Sequence, residues 1–286
     1  MIYLLLSIGS SSLIYLIFKS FGKFKVALFP AIVTNYLVAS SFGFSQVDFS
    51  KVDHIPQSWF IAAAIISLLF ISLFYLMAYV AEHMGVSVSS NASKMSMLIP
   101  LLLLALIYPE EKLSFWQIGG LLLAFLGIYF TSLKKDSGDS KGILLPFLLF
   151  LGSGILDYIL AYANTHLLHG AQDDAIFTSM GFGMAFIWGA LILTYQIIFK
   201  NGKVPLKSIA GGVVLGIVNY GSIYFLLRTY AANIAQKTAI LPINNMSIIL
   251  FSTLLSVIIF KERLSSKNLL GLGLSLAAIL MIYLNS

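Results

Sequence analysis

The chain of 286 residues is 59% hydrophobic and 10% charged, with no cysteine, whereas soluble domains carry roughly 25% charge. Those figures exclude an ordinary soluble domain, and the missing cysteines exclude disulfides, thiolate metal sites and cysteine nucleophiles. The net charge of +6 does not point to nucleic acid, because no Lys/Arg stripe interleaved with aromatics exists and the charges fall in short loops.

Ten apolar segments run near 2–18, 26–44, 58–81, 86–108, 113–132, 142–163, 174–199, 208–230, 235–260 and 265–284. Each approaches the ~20 residues a bilayer-crossing helix needs. They are long and rich in Leu, Ile and Phe, so helices fit and short alternating barrel strands do not. Segment 1 lacks a basic leading region and a small-residue cleavage site, and is read as a retained helix. Segment 2 carries Thr34 and Asn35, and segment 3 carries Tyr75 and Tyr79, with Glu82 near its end. Segment 4 places Lys94 in the polar run Ser89 to Ser96, with Pro100 one to two turns later.

Segment 5 is punctuated by Gly119, Gly120 and Gly127, and segment 10 by Gly271 and Gly273, which permit close helix approach. Segment 6 carries Asp157 beside Tyr158 near its middle, and segment 8 carries Asn219, Tyr220 and, near its end, Arg228. Segment 9 contains Pro242-Ile243-Asn244-Asn245-Met246-Ser247. That proline is expected to free a carbonyl near Thr238. A bend is expected in segments 4 and 9 alike.

The chain says nearly the same thing twice. Glu111-Lys112-Leu113-Ser114 with Gly120 returns as Glu262-Arg263-Leu264-Ser265 with Gly271, and Met95-Ser96 returns as Met246-Ser247 at the same 151-residue offset. At a slightly shorter offset, Gly9-Ser10 and Tyr15 match Gly152-Ser153 and Tyr158, and Ala31-Ile32-Val33-Thr34 matches Ala175-Ile176-Phe177-Thr178. Five segments per copy is odd, so the second copy must enter the bilayer from the opposite side. The expected fold class is therefore an all-α polytopic membrane protein of ten transmembrane helices in two inverted five-helix repeats. Residues 1–133 form the first repeat, 134–141 a polar linker and 142–286 the second, packed as one membrane domain.

Loops after segments 1, 5, 7 and 9 hold twelve basic residues, from Lys19, Lys23 and Lys25 to Lys261, Arg263 and Lys267, against Lys51, Lys112 and Lys237 on the other face. The positive-inside rule makes the basic face cytoplasmic. Both termini of a cell-membrane protein would then lie on the non-cytoplasmic side.

An acidic-basic-Leu-Ser step before a Gly-punctuated last helix, in two copies of five, resembles the EamA-type branch of the drug/metabolite transporter superfamily. The resemblance covers essentially the whole chain, and its specificity lies in the duplicated placement of the motif. It implies a ten-helix carrier for amino acids, other metabolites or toxic compounds, often an exporter. The family is often drawn with cytoplasmic termini, which the charge bias here opposes.

Ionisable groups deep in apolar segments cost about 2.5–3.5 kcal/mol by insertion scales, which singles out Lys94 and Asp157. Lys94 suits a substrate carboxylate, and Asp157 suits an amine, a coupling proton or a charge pair; the bland alternative is an internal ion pair or a snorkelling lysine. The repeat aligns Ser93-Lys94 with Asn244-Asn245, so Asn91, Ser93, Lys94, Asn244 and Asn245 are the expected substrate-lining set. The bland alternative is that the amides join helices. Asn35, Tyr79, Asn219 and Tyr220 are added as further lining residues, although Tyr is as often an interfacial anchor. The four histidines fall in loops or helix ends without carboxylate partners at ligand spacing, so no metal and no cofactor is expected.

The expected function is secondary transport of a small organic solute by alternating access, with protons as the coupling ion and the bilayer as the other partner. No Gly-x-x-x-x-Gly-Lys-Ser/Thr loop is present for nucleotide hydrolysis. A lipid-linked substrate flippase of the same fold is the alternative. An intramembrane enzyme is distant, because Gly152-Ser153-Gly154 has no histidine at membrane depth to activate the serine. A channel is disfavoured by the lack of rings of like charge.

Overall fold

The computed structural model describes residues 1–48, 55–107, 114–133, 141–168, 171–200, 202–232 and 237–284. Among them every regular element is helical: α1 (Ile2–Phe24), α2 (Leu28–Ser45), α3 (Gln57–His83), α4 (Val86–Met95), a 3-10 turn (Ser96–Leu98), α5 (Ile99–Ile107), α6 (Phe115–Ser132), α7 (Lys141–His166), α8 (Ala171–Lys200), α9 (Leu206–Ala231), α10 (Lys237–Phe260) and α11 (Ser266–Tyr283). Nine of the described helices are long and apolar enough to cross a membrane. Segment 4 is the one that differs, because it is broken into α4 and α5, of 10 and 9 residues. Residues Glu111 to Leu113 of the first repeated motif and linker residues 134–140 lie outside the described residues.

The chain forms two compact units, each drawing on both halves of the sequence. The first comprises Met1–Ser20, Leu76–Tyr158 and Gly221–Ser286, and the second Phe21–Tyr75 and Ile159–Tyr220.

In the first unit α6 and α11 pack closely. Gly120, early in α6, lies against Ala278 and Ile282 late in α11, while Gly271, early in α11, lies against Thr131 late in α6. The two helices therefore run antiparallel. A β-carbon at Gly127 or Gly271 would enter the opposing backbone, so the glycines set the approach distance. Each helix starts with the same device: Ser114 caps α6 in a capping box with Gln117, and Ser265 caps α11 in one with Asn268. These caps satisfy helix-end N–H groups and explain the serine of the repeated motif. The Asn268 amide also donates to the carbonyls of Thr131 at 2.7 Å and Leu133 at 3.0 Å, closing the end of α6.

In the second unit α2 packs on α8. Ser40 and Gly43, late in α2, meet Ser179, early in α8, and Gly189, later in α8, meets Val33, early in α2. This pair is antiparallel as well. Tyr36 is buried there among Phe70, Phe74 and Phe182, and its hydroxyl donates to the Phe70 carbonyl at 2.7 Å. A buried phenol needs that partner.

Candidate functional site at the break in segment 4

Pro100 explains the break. It has no N–H for the Ser96 carbonyl four residues back, and its ring clashes with that carbonyl. The Ser96 carbonyl accepts from the N–H of Ile99 instead, which is the tighter 3-10 pattern. The expected bend in segment 4 is thus a break, whereas α10 continues as one helix through Pro242.

A helix that ends inside an apolar environment leaves its last carbonyls without intrahelical donors. Side chains supply them. The Ser96 hydroxyl donates to the Ser93 carbonyl at 2.6 Å, and the Asn245 amide lies 3.5 Å from the Lys94 carbonyl and 3.2 Å from the Met97 sulfur. Lys94 sits in the last turn of α4, where positive charge is favoured by the helix dipole. Its side chain is half-buried.

Asp157 is drawn in from α7. Gly154, one turn earlier, lies directly on Ile99 with no room for a β-carbon. That contact lets the Asp157 carboxylate lie 2.7 Å from the Ser96 hydroxyl. Lys94 acts on Asp157 through space, yet among the described residues no ion pair joins them. Tyr15 of α1 completes the cluster, its hydroxyl 2.5 Å from that of Ser93.

The far end of α4 is held by Glu262, just beyond α10. Its carboxylate accepts from the Val86 N–H at 3.1 Å and from the Ser87 hydroxyl at 2.5 Å. A carboxylate at a helix start satisfies orphan N–H groups and complements the dipole. Gly85, with φ 124°, gives it room, since a β-carbon there would strike the carboxylate. Contacts at Asn245 in mid-helix and at Glu262 near the end of α10 make α4 and α10 antiparallel.

The sequence-derived residues divide between the units. Ser93, Lys94, Asn245 and Asp157 gather at the break. Asn244 is buried beside them in sequence, and its Oδ1 has no partner among the described residues. Asn91 turns away to α6, donating to Thr131 Oγ1 at 3.0 Å. Tyr79 is exposed and stacks on His83. In the second unit Asn219 donates to Asn35 at 3.2 Å, and Tyr220 stacks on Phe42. Tyr75 lines a cavity of about 380 Å³ in that unit with Phe29, Ile71, Ser72, Ile192 and Gln196. Ser96, Tyr15 and Glu262 were missed as site elements by sequence reasoning. The signal for Ser96 was its place four residues before Pro100.

Among the described residues no group of His, Cys, Asp or Glu is arranged to hold a metal ion.

The spans and the polar break define a polytopic helical membrane protein. No family model matches the chain. It is 29% identical over 293 residues to an uncharacterized protein of Haemophilus influenzae, across 98% of this chain and 97% of that protein. It is similar to a solved structure described as the crystal structure of a protein, with a TM-score of 0.60 and 14% identity over 99% of this chain and 96% of that one. The second likeness speaks to the fold alone.

Proposed function

We propose that the chain is a secondary transporter of a small organic solute, with its substrate site at the break in segment 4. The observation that carries this reading is the meeting of Lys94 and Asn245, equivalent positions in the two copies, where α4 loses its helix. Secondary transporters commonly bind substrate at discontinuous helices on the interface between inverted repeats. The inverted repeat is supported by the antiparallel packing of equivalent helices: α6 with α11, α4 with α10, and α2 with α8. On this reading α4, the 3-10 turn and α5 together make the tenth span, and the chain is the EamA-type carrier its sequence resembles.

Lys94 holds an anionic group of the solute, Ser93, Asn244 and Asn245 orient it, and Asp157 carries the coupling proton. A zwitterion such as an amino acid matches this pair of charges most economically. The basic loops lie in the cytoplasm and the termini outside it. Asn91 and the Asn35–Asn219 pair join helices. A thermal-shift screen of the purified protein against metabolite pools tests the site. At least one pool is expected to raise Tm for the parent chain and not for Lys94→Gln. An unchanged response in Lys94→Gln removes the site assignment.

A second reading is favoured by one observation. An apolar groove of about 510 Å³ lies between α1 and α10, lined by Leu5, Ile8, Gly9, Ser247, Leu250, Phe251 and Leu254. Its lining begins two residues past Asn245, so it suits the tail of a lipid-linked solute, as a flippase would require. Stabilisation by a lipid-linked solute and not by its free head group would favour that reading.

A further inference from the structure

We propose that Ser96 is the positioning residue through which protonation of Asp157 is passed to the break in segment 4. The inference rests on Asp157 as the proton carrier and adds how its proton is coupled to backbone geometry.

The Ser96 oxygen lies 2.6 Å from the Ser93 carbonyl and 2.7 Å from Asp157 Oδ2. Both are acceptors when Asp157 is ionised, and the serine has one hydrogen to donate. With Asp157 ionised, that hydrogen goes to the carboxylate, because charge-assisted bonds are the stronger kind. The Ser93 carbonyl, at the open end of α4, then loses its donor. With a proton on Oδ2, Asp157 donates to the Ser96 oxygen, and the Ser96 hydrogen turns to the Ser93 carbonyl. Both short contacts are satisfied only in this second state.

The location makes the choice consequential. Ser96 is the first residue of the 3-10 turn, and a serine hydroxyl bonded back to a carbonyl of the preceding turn competes with the helix ladder and often bends it. Protonation therefore favours the broken form of segment 4, and deprotonation withdraws a bond from it. The charged group facing Asp157 from the packed elements is Lys94 of α4. It is on the same hinge, so solute bound at Lys94 and the proton at Asp157 act on one backbone element.

The absence of cysteine allows clean labelling. Spin labels on Ile107→Cys, at the end of α5, and Ile155→Cys, on α7, both exposed, report the distance between the two helices. In the labelled parent the distance distribution is expected to shift between acidic and alkaline pH. Asp157→Asn should hold one distribution at all pH values. Ser96→Ala should lose the shift, and Ser96→Thr, which keeps the hydroxyl, should retain it. No shift in the parent, or a parent-like shift in folded Ser96→Ala, overturns the proposal. If Ser96→Ala fails to fold, loss of the shift in folded Ser96→Thr overturns it instead. Failure of the wider reading is separate: a parent-like shift in Asp157→Asn removes the proton role itself, whatever Ser96 does.

Discussion

Asn245 points its side-chain amide at the main-chain carbonyl of Lys94, the residue 151 positions earlier that occupies its place in the other copy. On the proposed inverted-repeat reading, such a contact between equivalent positions marks where a local twofold would pass. Position 94 is also where α4 runs out of intrahelical donors, so the contact meets a backbone need.

Replacing Asn245 with Leu should therefore cost stability modestly. The bond is long, and hydrogen bonds between membrane helices average about 0.6 kcal/mol. Thermal unfolding in detergent should show a small loss of Tm. A larger effect is expected on solute binding, since the Lys94 carbonyl is left to find another donor.

Lys94→Gln should leave expression and helicity intact while weakening binding of an anionic solute at least tenfold, equivalent to about 1.4 kcal/mol. Affinity measured across pH separates the two charges. Asp157→Asn is expected to keep binding but flatten its pH dependence.

Glu262→Ala removes the carboxylate from the start of α4, a kind of capping loss worth about 1 kcal/mol. Glu262→Gln retains an acceptor and should cost less. Gly85→Ala should be the worse change, because it combines a left-handed backbone with a clash against that carboxylate. Unfolding midpoints of the three variants check the order.

Gly127→Leu or Gly271→Leu should separate α6 from α11. Overpacking a tight contact typically costs about 1–3 kcal/mol. Because two backbones meet there with no flexible side chain to yield, the upper end is expected in unfolding measurements.

The spans were legible in the sequence because apolar length is a direct physical requirement of the bilayer. The packing of segments 5 and 10 was legible for a related reason, since Gly120, Gly127 and Gly271 announce close approach by lacking side chains. Lys94 stood out as an ionisable group deep in an apolar segment, the alignment of the copies set Asn245 opposite it, and the two meet. Asn91 was grouped with them by its place in the polar run, yet it faces Thr131, because adjacent polar residues on a helix point in different directions. The role of Glu262 was illegible, since its partners, the Val86 main-chain N–H and the Ser87 hydroxyl, lie 175 residues and more away in sequence. Side-chain capping of a distant helix leaves no local pattern.

Orientation can be read with a C-terminal reporter that is active only in the cytoplasm. The basic-loop bias predicts that it stays inactive, and a bright signal reverses the assignment.

Transport itself is the central claim, and proteoliposomes test it most directly. Vesicles bearing the protein are exposed to a metabolite extract under a proton gradient, and their contents are compared by mass spectrometry with vesicles bearing Lys94→Gln. At least one small organic solute is expected to cross only with the parent protein, and collapsing the gradient is expected to abolish its accumulation. Identical contents in the two sets of vesicles would contradict it.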